Sequence, residues 1–169
     1  MLKSRMKKFI IDALNTSRLG EFYCQRGKDF IFGNGAFAVR LHDVDLSQYY
    51  HDKEKVKQAE KVFIRASEKD RAWKGAAMTP PSISHLKRLI KANECHAVVK
   101  YYFTVTNSYN ARIMLPLMKL LGNCKMDFRR MPGYIHYGPH TGKFDEWALY
   151  LVGDRGEAAI MPYAWRSQQ

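Results

Sequence analysis

The stretch ALYLVGDRGEAAIMPYAW, residues 148–165, decides how this chain is built. Two apolar runs flank Gly153-Asp154-Arg155-Gly156, and glycines bounding a polar pair are what a tight β-turn requires. The stretch therefore reads as a β-hairpin, and a hairpin with two apolar arms needs a sheet and a core to pack in. Its second arm runs into Met161-Pro162-Tyr163-Ala164-Trp165, an apolar end that must either seal the sheet or meet a partner.

Working outward, further strands follow from the same kind of signal. KMDFRR (125–130) and GYIHYGP (133–139) read as two strands preceding the hairpin. EFYCQRGKDFIFGNGAFAVRL (21–41) reads as a three-stranded meander, with turns at Arg26-Gly27-Lys28-Asp29 and at Gly33-Asn34-Gly35. HAVVKYYFTV (96–105) is β-branched and aromatic, hence one more strand.

Three helices are expected between these strands. Met6, Phe9, Ile10, Ala13 and Leu14 recur at helical spacing over residues 4–15. Asp12 interrupts that apolar run and no small-residue cleavage site follows, so it reads as an amphipathic helix and not a signal peptide. In TPPSISHLKRLIKANEC, Pro80 and Pro81 bar helix before Ser82 or Ser84 can cap one, and Ile83, Leu86, Leu89 and Ile90 form its apolar stripe. The third helix spans roughly Asn110 to Leu121 with Gly122 as its stop. Pro116 inside it should cost about 3 kcal/mol, so a kink or a shortened first turn is expected. The charged stretch HDKEKVKQAEKVFIRASEKDRAWKG (51–75) reads as a solvated excursion, helical or helix running into strand.

Composition bounds the function. The 169 residues suffice for one good core. A mean hydropathy of −0.42 and the absence of a long apolar run predict no membrane span and a cytoplasmic protein. Cys24, Cys95 and Cys124 are an odd number without CxxC spacing, so neither a disulfide framework nor a structural zinc site is expected. Lys and Arg total 28 against 16 Asp and Glu, a net charge of +12. That excess attracts polyanions: nucleic acid first, with an anionic membrane surface or an acidic protein able to satisfy the same charge.

No residue pattern demands catalysis. His136 and His140 flank a Gly-Pro turn and lack further ligands, and Gly33-Asn34-Gly35 has no Gly-Lys-Ser/Thr after it. Asp43 and Asp45 share one loop but have no acidic companions for a nuclease-like metal pair. No catalytic residue, metal or cofactor is therefore expected. The recurring feature is basic helices: Lys3, Arg5, Lys7 and Lys8 on the first, Lys87, Arg88 and Lys91 on the second, Arg112 and Lys119 on the third. Cations so placed contact phosphates without reading bases. Tyr101, Tyr102, Tyr134 and Tyr137 are candidates for stacking on single strands, or for the core.

FTVTNSYNARIMLPLMKLLGNCKMDFRR (103–130), with ALYLVGDRGEAAIMPYAW after it, resembles the closing part of the bacterial DNA polymerase III beta subunit family, the sliding clamps. The likeness lies in a strand, a Tyr109-Asn110 step into an apolar helix, further strands, and a terminal Met161-Pro162. Residues 1–41 are similar in kind to the opening of a clamp module. The resemblance implies an α+β, DNA-clamp-like single domain of two pseudo-symmetric helix-plus-meander halves, 1–42 and 96–169, with a charged insertion with a helix at 43–95. It implies a non-enzymatic clamp or replication accessory factor whose basic helices contact double-stranded DNA without sequence preference. Met161, Pro162 and Tyr163 would wall a groove for peptides of replication proteins.

This chain departs from that family in three ways. It accommodates one module where a clamp chain has three, it lacks the strand before the first helix, and it is basic throughout. Encircling a duplex roughly 20 Å across would require several copies, hence a homo-oligomer. The alternative function is a basic interaction module that binds an acidic or host replication partner without DNA.

Overall fold

The computed structural model describes residues 22–33, 36–45, 78–93, 97–102, 106–137 and 140–162. The expected helix over 4–15 with Lys3, Arg5, Lys7 and Lys8, the charged stretch 51–75, the Asn34-Gly35 turn and Tyr163 lie outside the described residues. In chain order the elements are β1 (Phe22–Arg26), β2 (Asp29–Gly33), β3 (Phe37–Leu41), α1 (Ile83–Ala92), β4 (Val98–Tyr102), β5 (Thr106–Asn110), α2 (Ala111–Leu121), β6 (Lys125–Tyr137), β7 (His140–Gly153) and β8 (Gly156–Ile160). The class is α+β, with an antiparallel six-stranded sheet in the order β1-β2-β3-β8-β7-β6 and a separate β4-β5 pair.

The hairpin expected from Gly153 to Gly156 is β7–β8, closed by Gly153 opposite Gly156. The sheet places β8 between β3 and β7, so GEAAI is a central strand. That position explains its small residues. Ala158 faces one side and Ala159 the other, at 0% and 2% exposure, so β8 is covered on both sides at these positions.

Alternation assigns the two faces of the sheet. Phe32, Val39, Ala158, Leu151 and Met126 form one row across five strands, followed along the same face by Ile160, Leu149 and Phe128. All belong to the main core with Met114, Leu117 and Leu121 of α2 and Leu86 of α1, so both helices lie on this side. Each of these large apolar side chains contributes roughly 1.5–3 kcal/mol by leaving water.

Two strand expectations are corrected. The strand expected in 96–105 is β4, but it pairs with a further strand that was not expected, β5, whose TNSYN sequence has little β preference. Tertiary contact supplies what propensity lacks, because Tyr109 of β5 is fully buried beside Tyr101 and Phe128. KMDFRR and GYIHYGP are likewise one continuous strand, β6, in register with β7 from Lys125–Val152 to Tyr137–His140. Pro132 lies in β6, the last strand in the order of the described sheet, whose outer side is bridged at Met126 by Met78.

Candidate nucleic-acid interface

The α1 helix starts where its sequence says. Pro80 and Pro81 precede it, and the Ser82 hydroxyl accepts the His85 N–H at 3.1 Å. Leu86 is fully buried and Leu89 and Ile90 are half-buried, which fixes the inward side. Lys87, Arg88 and Lys91 are all exposed on the remaining surface.

In α2 the Asn110 side chain accepts the Arg112 N–H at 2.9 Å, and the Ala111 N–H donates to the Ala97 carbonyl at 2.9 Å. The helix keeps its full first turn and passes through Pro116 to Leu121, so the expected shortening does not occur. The bond Pro116 cannot make is the one to the Arg112 carbonyl, four residues back. Arg112 and Lys119, seven residues or about two turns apart, share one exposed stripe with half-buried Pro116 between them. Gly122, at φ 93°, ends the helix.

The β7–β8 turn completes the C-terminal end of α2. Arg155 donates from Nε to the Leu120 carbonyl at 2.6 Å and from Nη2 to the Lys119 carbonyl at 2.9 Å. Its backbone N–H donates to the Leu121 carbonyl at 3.0 Å. These bonds satisfy carbonyls that a helix end leaves without partners, and place a cation at the negative end of the helix. The turn must come close to do this: a Cβ on Gly153 would lie 2.7 Å from the Leu121 oxygen, and one on Gly156 2.0 Å from the Arg40 oxygen.

Five exposed cations thus lie on two helices that pack against each other on one side of the sheet. Neither helix contains an aspartate or glutamate. Near them, Asp154 accepts weakly from the Asn123 N–H at 3.4 Å; burial first, then the Asp154 charge, raise the Cys124 thiol pKa against the opposing pull of Arg155.

Tyr101 is not a stacking platform for bases. Its ring meets Phe128 at 4.9 Å and Tyr109 at 5.9 Å, its hydroxyl donates to the Met126 sulfur at 3.3 Å, and burial pushes its pKa up to about 12. At the tail, Met161 and Pro162 are half-buried, and the Met161 N–H donates to the Ala36 carbonyl at 2.9 Å, extending the β3–β8 ladder. Asp43 and Asp45 are both exposed after β3, and no group of three metal-capable side chains occurs among the described residues. No helix among them is long and apolar enough to cross a membrane.

Sequence reasoning missed a polar cluster on the opposite face of the sheet. The Tyr150 hydroxyl donates to Glu157 Oε2, while Glu157 Oε1 pairs with Arg40 at 3.0 Å. The Arg129 guanidinium lies 3.6 Å above the Tyr150 ring, with Asp127 3.9 Å from its Nε. Burial first, then the bond to Glu157 and its charge, hold the Tyr150 pKa far above the usual phenol range against the two arginines. Strand parity was the available signal, but it needs the β3–β8 and β6–β7 pairings to bring these residues together.

No family model, curated protein or solved structure matches this chain.

Proposed function

We propose that the protein is a non-enzymatic, clamp-like replication accessory factor that holds the backbone of double-stranded DNA on its helical side. The observation that carries this reading is a helical layer with Lys87, Arg88, Lys91, Arg112 and Lys119 exposed and no carboxylate on either helix. Such a layer attracts phosphate without reading bases. Of the four candidate stacking tyrosines, Tyr101 is half-buried and packed against Tyr109 and Phe128, and the side chains of Tyr102, Tyr134 and Tyr137 lie outside the described residues. The clamp-like part of the proposal draws on strand order: from the β3–β8 junction the sheet runs outward as 3-2-1 on one side and 8-7-6 on the other. Two meanders meeting at their last strands are what a pseudo-twofold pair of halves would give. The proposal extends to Lys3, Arg5, Lys7 and Lys8 as further DNA contacts and to Met161, Pro162 and Tyr163 as the residues that would meet a partner peptide.

The deciding experiment measures retention on closed-circular and linear duplex of equal length, with affinity followed against salt. Circle-selective retention by a defined oligomer supports a clamp. A steep salt slope without topological preference supports a backbone-binding accessory factor. Failure to bind any duplex at low salt, with capture of an acidic protein, would replace this reading by the protein-interaction alternative.

A further inference from the structure

The α2 helix presents Lys119 in its last turn, and that is an unfavourable place to receive a phosphate. The carbonyls of a helix C-terminus carry about half a negative charge, which repels an anion approaching a cation beside them. Arg155 addresses this end directly. Its Nη2 donates to the carbonyl of Lys119 itself at 2.9 Å, its Nε to that of Leu120 at 2.6 Å, and its backbone N–H to that of Leu121 at 3.0 Å. The turn carrying it is fastened in turn, since the His42 N–H donates to the Arg155 carbonyl at 2.9 Å. Asp154, next in the chain and exposed, supplies the opposing charge.

We infer that Arg155 is a positioning residue of the nucleic-acid interface: it neutralises the negative end of α2 and so makes Lys119 competent to hold a phosphate. This rests on the proposed DNA-binding reading and adds to it a residue from the sheet side that no helical pattern points to. Arg155 acts through Lys119; its own guanidinium is committed to the helix carbonyls. Removing it should weaken binding without changing how many phosphates are neutralised, whereas removing Lys119 should change both.

The test is a double-mutant cycle with Lys119→Gln and Arg155→Gln, read by anisotropy of a labelled duplex at several salt concentrations, with thermal unfolding of each variant alongside. Arg155→Gln should lower affinity about fivefold, the size of a helix-end charge effect, with the salt slope unchanged. Lys119→Gln should lower the slope by about 1. On the Lys119→Gln background, Arg155→Gln should have almost no further effect on binding. Arg155→Lys, which keeps the charge, should recover most of the affinity, and Asp154→Asn should raise it.

Equal losses on both backgrounds, a drop in slope for Arg155→Gln, or a lowered melting temperature with unchanged affinity would each overturn the inference. So would an Arg155→Lys variant as weak as Arg155→Gln. If the wild-type protein binds no duplex, the DNA-binding reading falls and the inference with it. If it binds while Arg155→Gln is silent, only the inference falls.

Discussion

The two helices carry similar charges on very different foundations. α2 buries Ala111, Met114, Leu117, Met118, Leu120 and Leu121, and its C-terminal carbonyls are bonded by a turn of the sheet. α1 buries only Leu86, and packs on α2 without a comparable contact to the sheet. In α2 the core takes most of the circumference and leaves Arg112 and Lys119 a narrow stripe. In α1 the exposed surface is nearly the whole helix, so Lys87, Arg88 and Lys91 set its character. The same residue types are therefore structurally coupled in one helix and independent of the fold in the other.

Truncation of the core face should break this contrast most visibly. Leu121→Ala, at a fully buried position under the Arg155 turn, should cost about 2–5 kcal/mol in denaturant unfolding, and Ile90→Ala on α1 about 1 kcal/mol or less. Equal costs would show that α1 is as deeply anchored as α2.

Charge reversal should give the opposite ranking. Lys87→Glu/Arg88→Glu/Lys91→Glu should lower the salt slope of duplex binding by up to about 3, with stability changed by no more than about 0.5 kcal/mol per site. Undiminished binding would remove α1 from the interface.

Cap removal is a smaller perturbation. Ser82→Ala and Asn110→Ala should each cost about 1 kcal/mol. Amide exchange should show the Ser82 variant opening only the first turn of α1, while the loss at Asn110 is spread over the core that α2 holds.

The smallest effect is alkaline. Tyr101 and Tyr150 have pKa values raised in the folded state, so the folded protein keeps protons that the unfolded chain releases near pH 10. Their contribution is fully present below that pH and is lost as pH rises through the raised values. Near-ultraviolet absorbance should show at least two of the ten tyrosines ionising late, together with unfolding. Early titration of all ten would contradict the packing of both rings.

Much of the architecture was legible because it is announced locally. Pro80, Pro81 and Ser82 mark the start of α1, Asn110 and Gly122 bound α2, and Gly153 and Gly156 bound the β7–β8 turn, each through bonds or dihedrals within a few residues. The exposed helical cations were legible for the same reason, since amphipathic spacing alone separates Lys87, Arg88 and Lys91 from Leu86. β5 was not, because TNSYN becomes a strand only by pairing with β4 and burying Tyr109. Met131 and Pro132 fell between two expected strands, and only pairing with β7 along the whole of β6 makes them strand.

By itself, the sequence determined where most chain segments turn and stop, which residues face water on the helices, and the net charge of +12. Those properties depend on neighbours within about one helical turn or one hairpin. The tertiary structure decided that β8 enters the middle of the sheet beside β3, that Arg40, Glu157, Tyr150 and Arg129 meet on the far face, and that Arg155 grips the end of α2. These are contacts between residues far apart in the chain, and no local propensity encodes them. In ALYLVGDRGEAAIMPYAW the hairpin could be read directly, whereas its role as the central strand and its turn's hold on α2 came from packing.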